Sequence, residues 1–311
     1  MSEFDRPALV QFAQDSISRG SKSFRFASRL FDRTTRERVW LLYAWCRKCD
    51  DMADGQDHGG AMAAVTDPQE SLAAIRTLTA KALAGTPTGE PAFDCLGVVA
   101  RECGITARMA EDVIEGFALD AADWHPRRES DLYQYCYHVA GAVGVMMAVV
   151  MGVPADDDAT LDRACDLGLA FQLANIARDI AEDDAAGRCY LPDDWLATLD
   201  IGPGEHMKPH NRKKLALMGR WLADEAEQYE ASARVGAAHL PLRARWAVLS
   251  AAGIYGEIAR KVRAADSHAW DQRIFTSRPE KFRWVRKAFV DAVANNPRAM
   301  DRDAFWTRTR V

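Results

Sequence analysis

The chain has 311 residues, 48% of them apolar, and its 45 acidic and 40 basic side chains give a formal charge of -5. This length and apolar content suffice for a sizeable core, and the acidic balance argues against nucleic acid as a main partner. Seven cysteines, of which only Cys46 and Cys49 stand in CxxC spacing, read as free thiols in a reducing compartment, and the acidic start MSEFDRPALV lacks a signal-peptide pattern, so the cytoplasm is the expected location.

Helix-period apolar positions or strong helix formers cover residues 8–30, 35–54, 68–84, 90–102, 106–121, 130–152, 158–184, 212–236, 240–265 and 279–294. No run of alternating strand residues separates them. Breaks fall at GQDHGG, GTPTGEP, WHPRR, GVPADDD and IGPGEHMKPH, and none is long enough for an interdomain linker. The expectation is a single all-α domain over residues 1–311, with peripheral terminal segments.

In the second of these helices a buried-type run, Val39 to Cys46, leads to Arg47 and then to Asp50, Asp51 and Asp54. Carboxylates at i and i+4 lie about 6 Å apart along a helix. In a dry setting such groups stay ionised only when paired or holding a cation. Arg47 stands about one turn before Asp50, placed either to grip a diphosphate or to bridge Asp50 or Asp51.

From Leu132 to Ala155 there is no Asp, Glu, Lys or Arg, a length that could span a bilayer on paper. Tyr133, Gln134, Tyr135, Tyr137 and His138 in its first half point instead to a buried helix. Peripheral membrane contact stays open, because an apolar substrate has to come from somewhere.

In the helix over 158–184, Asn175, Asp179 and Asp183 are spaced by four and form a polar ladder, which Gln172 extends. Glu182 lies beside it, and the chain is uncharged from Leu167 to Ala177, which argues for depth. Oxygen-only donors suit a hard cation such as Mg²⁺, which commonly uses a few carboxylates together with substrate phosphates. The two acidic segments therefore point to a metal-dependent site for a phosphorylated ligand.

Four segments, SKSF at 21–24, YAWCRKCDDMAD at 43–54, YCYHVAGAVG at 135–144 and NIARDIAEDDAAGRCYLP at 175–192, resemble in order the motifs of the squalene and phytoene synthase family. The bacterial phytoene synthases are the branch they resemble most, and the likeness runs from about residue 15 to 285. The resemblance implies an isoprenoid synthase helical bundle around a central cavity. It also implies head-to-head condensation of two geranylgeranyl diphosphates to 15-cis-phytoene through prephytoene diphosphate, in carotenoid biosynthesis.

By that resemblance Asp50 and Asp54 form a first metal site, and Asp179 and Asp183 a second supported by Asn175 and Glu182, the two converging at the cavity mouth. Mg²⁺ is the implied ion, with Mn²⁺ an alternative, and no NADPH is expected for the phytoene reaction. Substrate contacts fall to Ser21, Ser23, Phe24, Tyr43, Arg47, Gln172, Asn175, Arg178, Arg188, Tyr190, Tyr255, Arg273 and Lys281. Ala140 and Gly141 either let a prenyl chain approach the backbone or serve helix packing. His138 stands where many relatives have tyrosine, so the final proton is guided by His138, by Tyr137 or by diphosphate itself.

Two alternatives accompany this reading. One is a squalene, dehydrosqualene or hydroxysqualene synthase using farnesyl chains. The other is a noncatalytic helical lipid-binding or assembly protein of the same descent. Expected partners are prenyl diphosphates, with peripheral membrane contact or handover to other carotenoid enzymes as a further possibility.

Overall fold

A computed structural model of the chain describes residues 4–20, 27–54, 68–122 and 124–310, with Asp54 described by its backbone alone. Among the described residues the regular structure is helical and contains no strand. By packing the chain divides into two compact units, Met1–Ala122 with Val145–Asp157, and Asp123–Gly144 with Asp158–Val311.

The first unit holds α1 (Arg6–Gly20), α2 (Arg33–Asp54), α3 (Pro68–Leu83), α4 (Pro91–Cys103) and α5 (Ala107–Ala121). Pro91 opens α4, where a missing N–H leaves no helix bond unmade, and Gly104 closes it at φ 81°, a left-handed turn that suits glycine. At α5 the Thr106 side chain accepts from the backbone N–H of Met109 at 3.3 Å, a cap without the second half of a capping box. Leu41, Leu42 and Trp45 bury the inner face of α2, and the Trp45 indole donates to Thr79 Oγ1 at 3.3 Å. Arg6 ties α1 to Glu37 of α2 at 2.8 Å and to Glu102 of α4 at 2.5 Å.

The second unit carries α6 (Glu129–Cys136), a π-helical turn (Tyr137–Gly141) and the start of α7 (Ala142–Val150), then α8 (Asp158–Ala185) and the short α9 (Asp193–Thr198). After these come α10 (Arg212–Ala237), α11 (Leu242–Ala265) and α12 (Arg278–Ala294). α10 packs along α8 and α11, and α12 along α11.

The helix expected over 130–152 is thus interrupted. Around the π turn the backbones meet without side chains between them: a Cβ on Gly168 of α8 would stand 2.4 Å from the Ala140 carbonyl oxygen, and one on Gly144 would stand 2.6 Å from that of Ala164. A wider turn swings the Ala140 carbonyl against α8. No described helix is long and apolar enough to cross a membrane.

After α12 the chain lies along the amino-terminal half of α8. Arg302 meets Asp166, Arg308 meets Asp158 and Asp162, and Arg310 meets Asp162. Trp306 packs against Tyr137 with ring centres 5.5 Å apart. Of these residues the sequence reading gave a role to Tyr137 alone.

Candidate active site

In the first unit the site elements stand on α2. Its buried run Val39–Trp45 fixes the helix against its neighbours and turns Arg47 and the aspartates that follow toward one side. Arg47 Nη1 lies 2.9 Å from Asp50 Oδ2, and Nη2 lies 2.6 Å from Asp51 Oδ1. Both anticipated bridges therefore form at once. Asp51, which the ligand ladder leaves out, is the more buried of the two, its side chain 11% exposed against 42% for Asp50. Its signal in the sequence was the i, i+4 spacing from Arg47.

Tyr43, one turn earlier on α2, is half-buried, and burial pushes its phenol above the usual tyrosine range. A Cβ on Gly20 would stand 2.3 Å from its hydroxyl oxygen, so a residue without a side chain lets the end of α1 rest on Tyr43. Ser21, Ser23 and Phe24 lie outside the described residues, as does the side chain of Asp54. Nearby, Gln14, Ile17, Ser18, Arg29, Arg36 and Trp40 line a cavity of about 220 Å³ that the motifs did not mark.

In the second unit α8 carries Gln172, Asn175, Arg178, Asp179 and Asp183. Leu173, Ala174, Ile176, Ala177 and Ile180 are buried and seat this end of the helix, while Gln172, Asn175, Asp179 and Asp183 keep partial exposure. Asp179 is held from two sides. Arg178 donates to it through Nε at 2.7 Å and through Nη2, and Arg273, from the loop before α12, reaches its Oδ1 at 3.0 Å.

Burial raises the Asp183 carboxyl to about 6, and the charge of Asp179 adds to the effect, against Arg188 and Arg178. Two acidic groups on successive turns thus compete for one local supply of positive charge. The turn after α8 brings Arg188 back: its N–H donates to the Asp183 carbonyl at 2.8 Å, and Gly187 takes the left-handed φ of 76° that this turn requires.

The remaining candidates are placed as follows. Tyr255 on α11 stacks on Phe171 of α8 at 4.3 Å between ring centres. Tyr190 is buried and stacks on Tyr135 at 4.8 Å. Tyr137 and His138 are both buried in the π turn, with ring centres 5.0 Å apart. Gly141 meets α8 directly, since a Cβ there would stand 2.8 Å from Leu169 Cδ1, which favours the packing role for the HVAG segment. Lys281 lies in the first turn of α12.

Among the described residues no group of three His, Cys, Asp or Glu side chains stands together as a metal cage. The donors are all oxygen, as a hard cation requires, and an added cation would offset the burial and the Asp179 charge that raise Asp183.

The sequence profile of the Squalene/phytoene synthase family matches residues 17–280. The chain is 46% identical to the 15-cis-phytoene synthase of Pantoea ananas over 297 residues, 95% of this chain and 96% of that protein. It is also 46% identical to the phytoene synthase of Pseudescherichia vulneris over 307 residues, 97% and 99% of the two chains. Among solved structures, a dehydrosqualene synthase in complex with ligand superposes with a TM-score of 0.81 at 25% identity, covering 93% of this chain and 98% of that one. The all-α architecture is that of the isoprenoid synthases. With a profile match that takes in both acidic helices and relatives aligned almost end to end, the chain belongs to the squalene/phytoene synthase family.

Proposed function

We infer that this protein is a 15-cis-phytoene synthase that condenses two geranylgeranyl diphosphates head to head and releases diphosphate. The observation that carries the reading is 46% identity to a 15-cis-phytoene synthase over 95% of the chain, a span that includes both acidic helices and the basic residues near them. In this reading the whole chain is one catalytic domain with peripheral terminal segments.

Asp50 and Asp54 on α2, and Asn175, Asp179 and Asp183 on α8, are the residues that would hold divalent metal, Mg²⁺ with Mn²⁺ as the alternative. Such an ion, when bound, neutralises the developing charge of a leaving diphosphate. The protein's own cations do the rest of that work. Arg47 is already turned toward carboxylates in the first unit, and Arg178 and Arg273 in the second, so each can shift from a carboxylate to a phosphate oxygen with little reorganisation.

Ser21, Ser23 and Lys281 add further contacts to the diphosphates, and Arg188 with Tyr190 borders the second acidic group. Departure of the first diphosphate leaves an allylic cation, which the double bond of the second substrate attacks; ring closure with loss of a proton then gives the cyclopropyl intermediate prephytoene diphosphate. Loss of the second diphosphate, rearrangement and loss of one proton complete phytoene. The cation must be kept from water, a purpose we assign to the stacked rings of Phe171 and Tyr255. Gln172 flanks the prenyl chains, whereas Ala140 and Gly141 serve the packing of the π turn on α8. We assign guidance of the final proton to Tyr137 or His138, which are buried side by side, or to diphosphate itself.

The reaction calls for no NADPH. Because substrate and product are long prenyl chains, we place the enzyme at the cytoplasmic face of a membrane in peripheral contact, where it hands product to the next carotenoid enzyme.

The test is incubation with geranylgeranyl diphosphate, with and without Mg²⁺, followed by hydrocarbon extraction. Phytoene formed only with metal is the expected result. Hydrocarbon formed only from farnesyl diphosphate, with or without NADPH, would move the assignment to the squalene-type branch, and no turnover of any prenyl diphosphate would leave a binding protein.

A further inference from the structure

α12 is amphipathic in an inverted sense. Toward α10 and α11 it turns Ala288 and Ala292, fully buried with Ala237 and Leu249, and the Trp246 indole donates to the Val285 carbonyl at 2.9 Å. Its bulky apolar side chains face outward: Phe282 is 65% exposed, Phe289 47%, Val290 64% and Val293 58%, and Phe275 just before the helix is 69% exposed. Positions 282, 289, 290 and 293 are spaced by seven, eight and eleven from the first and so share one side.

Exposed Arg278, Arg283, Arg286 and Lys287 border or interrupt this stripe. From Arg273 to Asp291 inclusive there are six basic residues and two acidic ones, Glu280 and Asp291, in a chain whose formal charge is -5; Lys287 lies 2.8 Å from Asp291, and Arg283 lies 3.3 Å from Glu257. Leaving a cluster of large apolar groups exposed is costly in water unless something covers them.

We propose that the outer face of α12 docks on an anionic lipid bilayer, with Phe275, Phe282, Phe289, Val290 and Val293 entering the headgroup boundary and Arg278, Arg283, Arg286 and Lys287 meeting lipid phosphates. An aromatic stripe bordered by arginine and lysine fits that surface by charge as well as by polarity. A second copy of the chain fits poorly, because a two-fold contact would bring these same cations together. The proposal rests on the prenyl-chain reading above, since an enzyme whose substrate and product partition into lipid gains from a fixed seat on the bilayer.

The experiment is flotation of the full chain with vesicles of phosphatidylcholine containing about a third phosphatidylglycerol, and with pure phosphatidylcholine, at about 0.15 M salt. Wild type floats with the anionic vesicles and not with the neutral ones. Phe282→Ser combined with Phe289→Ser lowers the partition coefficient about tenfold or more. Arg286→Glu lowers it as well. Both variants turn over detergent-dispersed substrate as wild type does.

Wild type that stays at the bottom of the gradient, or a double serine variant that floats as well as wild type, overturns the proposal. So does a wild-type dimer that the serine variant converts to monomer without change in flotation. Turnover without flotation removes the surface and leaves the enzyme assignment standing, whereas flotation without turnover does the reverse.

Discussion

Arg302 clasps Asp166 with two nitrogens: Nη2 lies 2.6 Å from Oδ1 and Nε 2.8 Å from Oδ2, on a carboxylate with no exposed surface. The Ser232 hydroxyl donates to Oδ2 at 2.5 Å. One turn earlier on α8, Asp162 takes Arg310 at 2.6 Å and Arg308 at 2.9 Å. The same helix carries acidic groups at both ends, and only the amino-terminal set is neutralised by the chain's own tail. The three arginines lie beyond residue 280, where the family match ends, and their aspartate partners lie within it.

Removing one partner of a buried pair leaves the other as an uncompensated charge, which typically costs about 3–5 kcal/mol. Arg302→Ala is therefore expected to lower unfolding free energy by about 4 kcal/mol in urea titration. Replacing both Arg302 and Asp166 by apolar residues of similar size is expected to restore much of that loss. A single-variant loss under about 1 kcal/mol, the range of exposed pairs, would contradict the burial assigned to this contact.

Gly168 faces backbone, not a side chain that could move aside: an added Cβ would stand 2.4 Å from the Ala140 carbonyl oxygen and 2.6 Å from Gly141 Cα. Gly168→Ala is expected to destabilise the protein by about 3 kcal/mol through overpacking, visible as a lowered Tm. A Tm equal to wild type would mean that the π turn and α8 are further apart than described.

Glu280 opens α12, accepting from the Ser277 N–H, the Ser277 hydroxyl and Lys261 Nζ, each at 2.7 Å. Lys261 first, then Ser277, pull its carboxyl from 4.5 down to about 2. A depressed folded-state value means that Glu280 contributes stability above its unfolded pKa and loses it as pH falls through the folded one. The stability difference between wild type and Glu280→Gln should thus be constant above about pH 5, shrink from there and vanish near pH 2. A difference that persists below pH 2 would rule out this linkage. Ser277→Ala, which removes the cap hydroxyl, should cost about 1 kcal/mol.

The long helix α8 was legible at 158–184 and spans Asp158–Ala185, because its apolar spacing is regular and Asn175, Asp179 and Asp183 repeat every four residues. Three features were not. The π turn at Tyr137–Gly141 changes one hydrogen-bond step without changing composition, so the segment reads as an unbroken helix. α9, with six residues, is too short to show a period. The pairing of Asp166 with Arg302 joins positions 136 apart, and no local pattern marks either residue. Among the candidate residues, spacing singled out the aspartates, whereas the contact of Arg273 with Asp179 came only from the fold, the family likeness having named Arg273 for diphosphate alone.

If Asp183 and Asp54 hold metal and diphosphate, either Asp183→Ala or Asp54→Ala should lower turnover by about 10³-fold or more with an unchanged helical circular dichroism spectrum. Turnover within a few-fold of wild type would remove these residues from the assigned roles. Arg273→Ala, which frees Asp179 from one of its two guanidinium partners, should lower kcat/KM by about tenfold or more.

The central claim is metal-dependent condensation of two geranylgeranyl diphosphates, and the most direct measurement is the ratio of diphosphate released to hydrocarbon formed. The account predicts two diphosphates for each phytoene in Mg²⁺ and neither product after chelation. Diphosphate release without hydrocarbon, or hydrocarbon formed equally well in chelator, would contradict it.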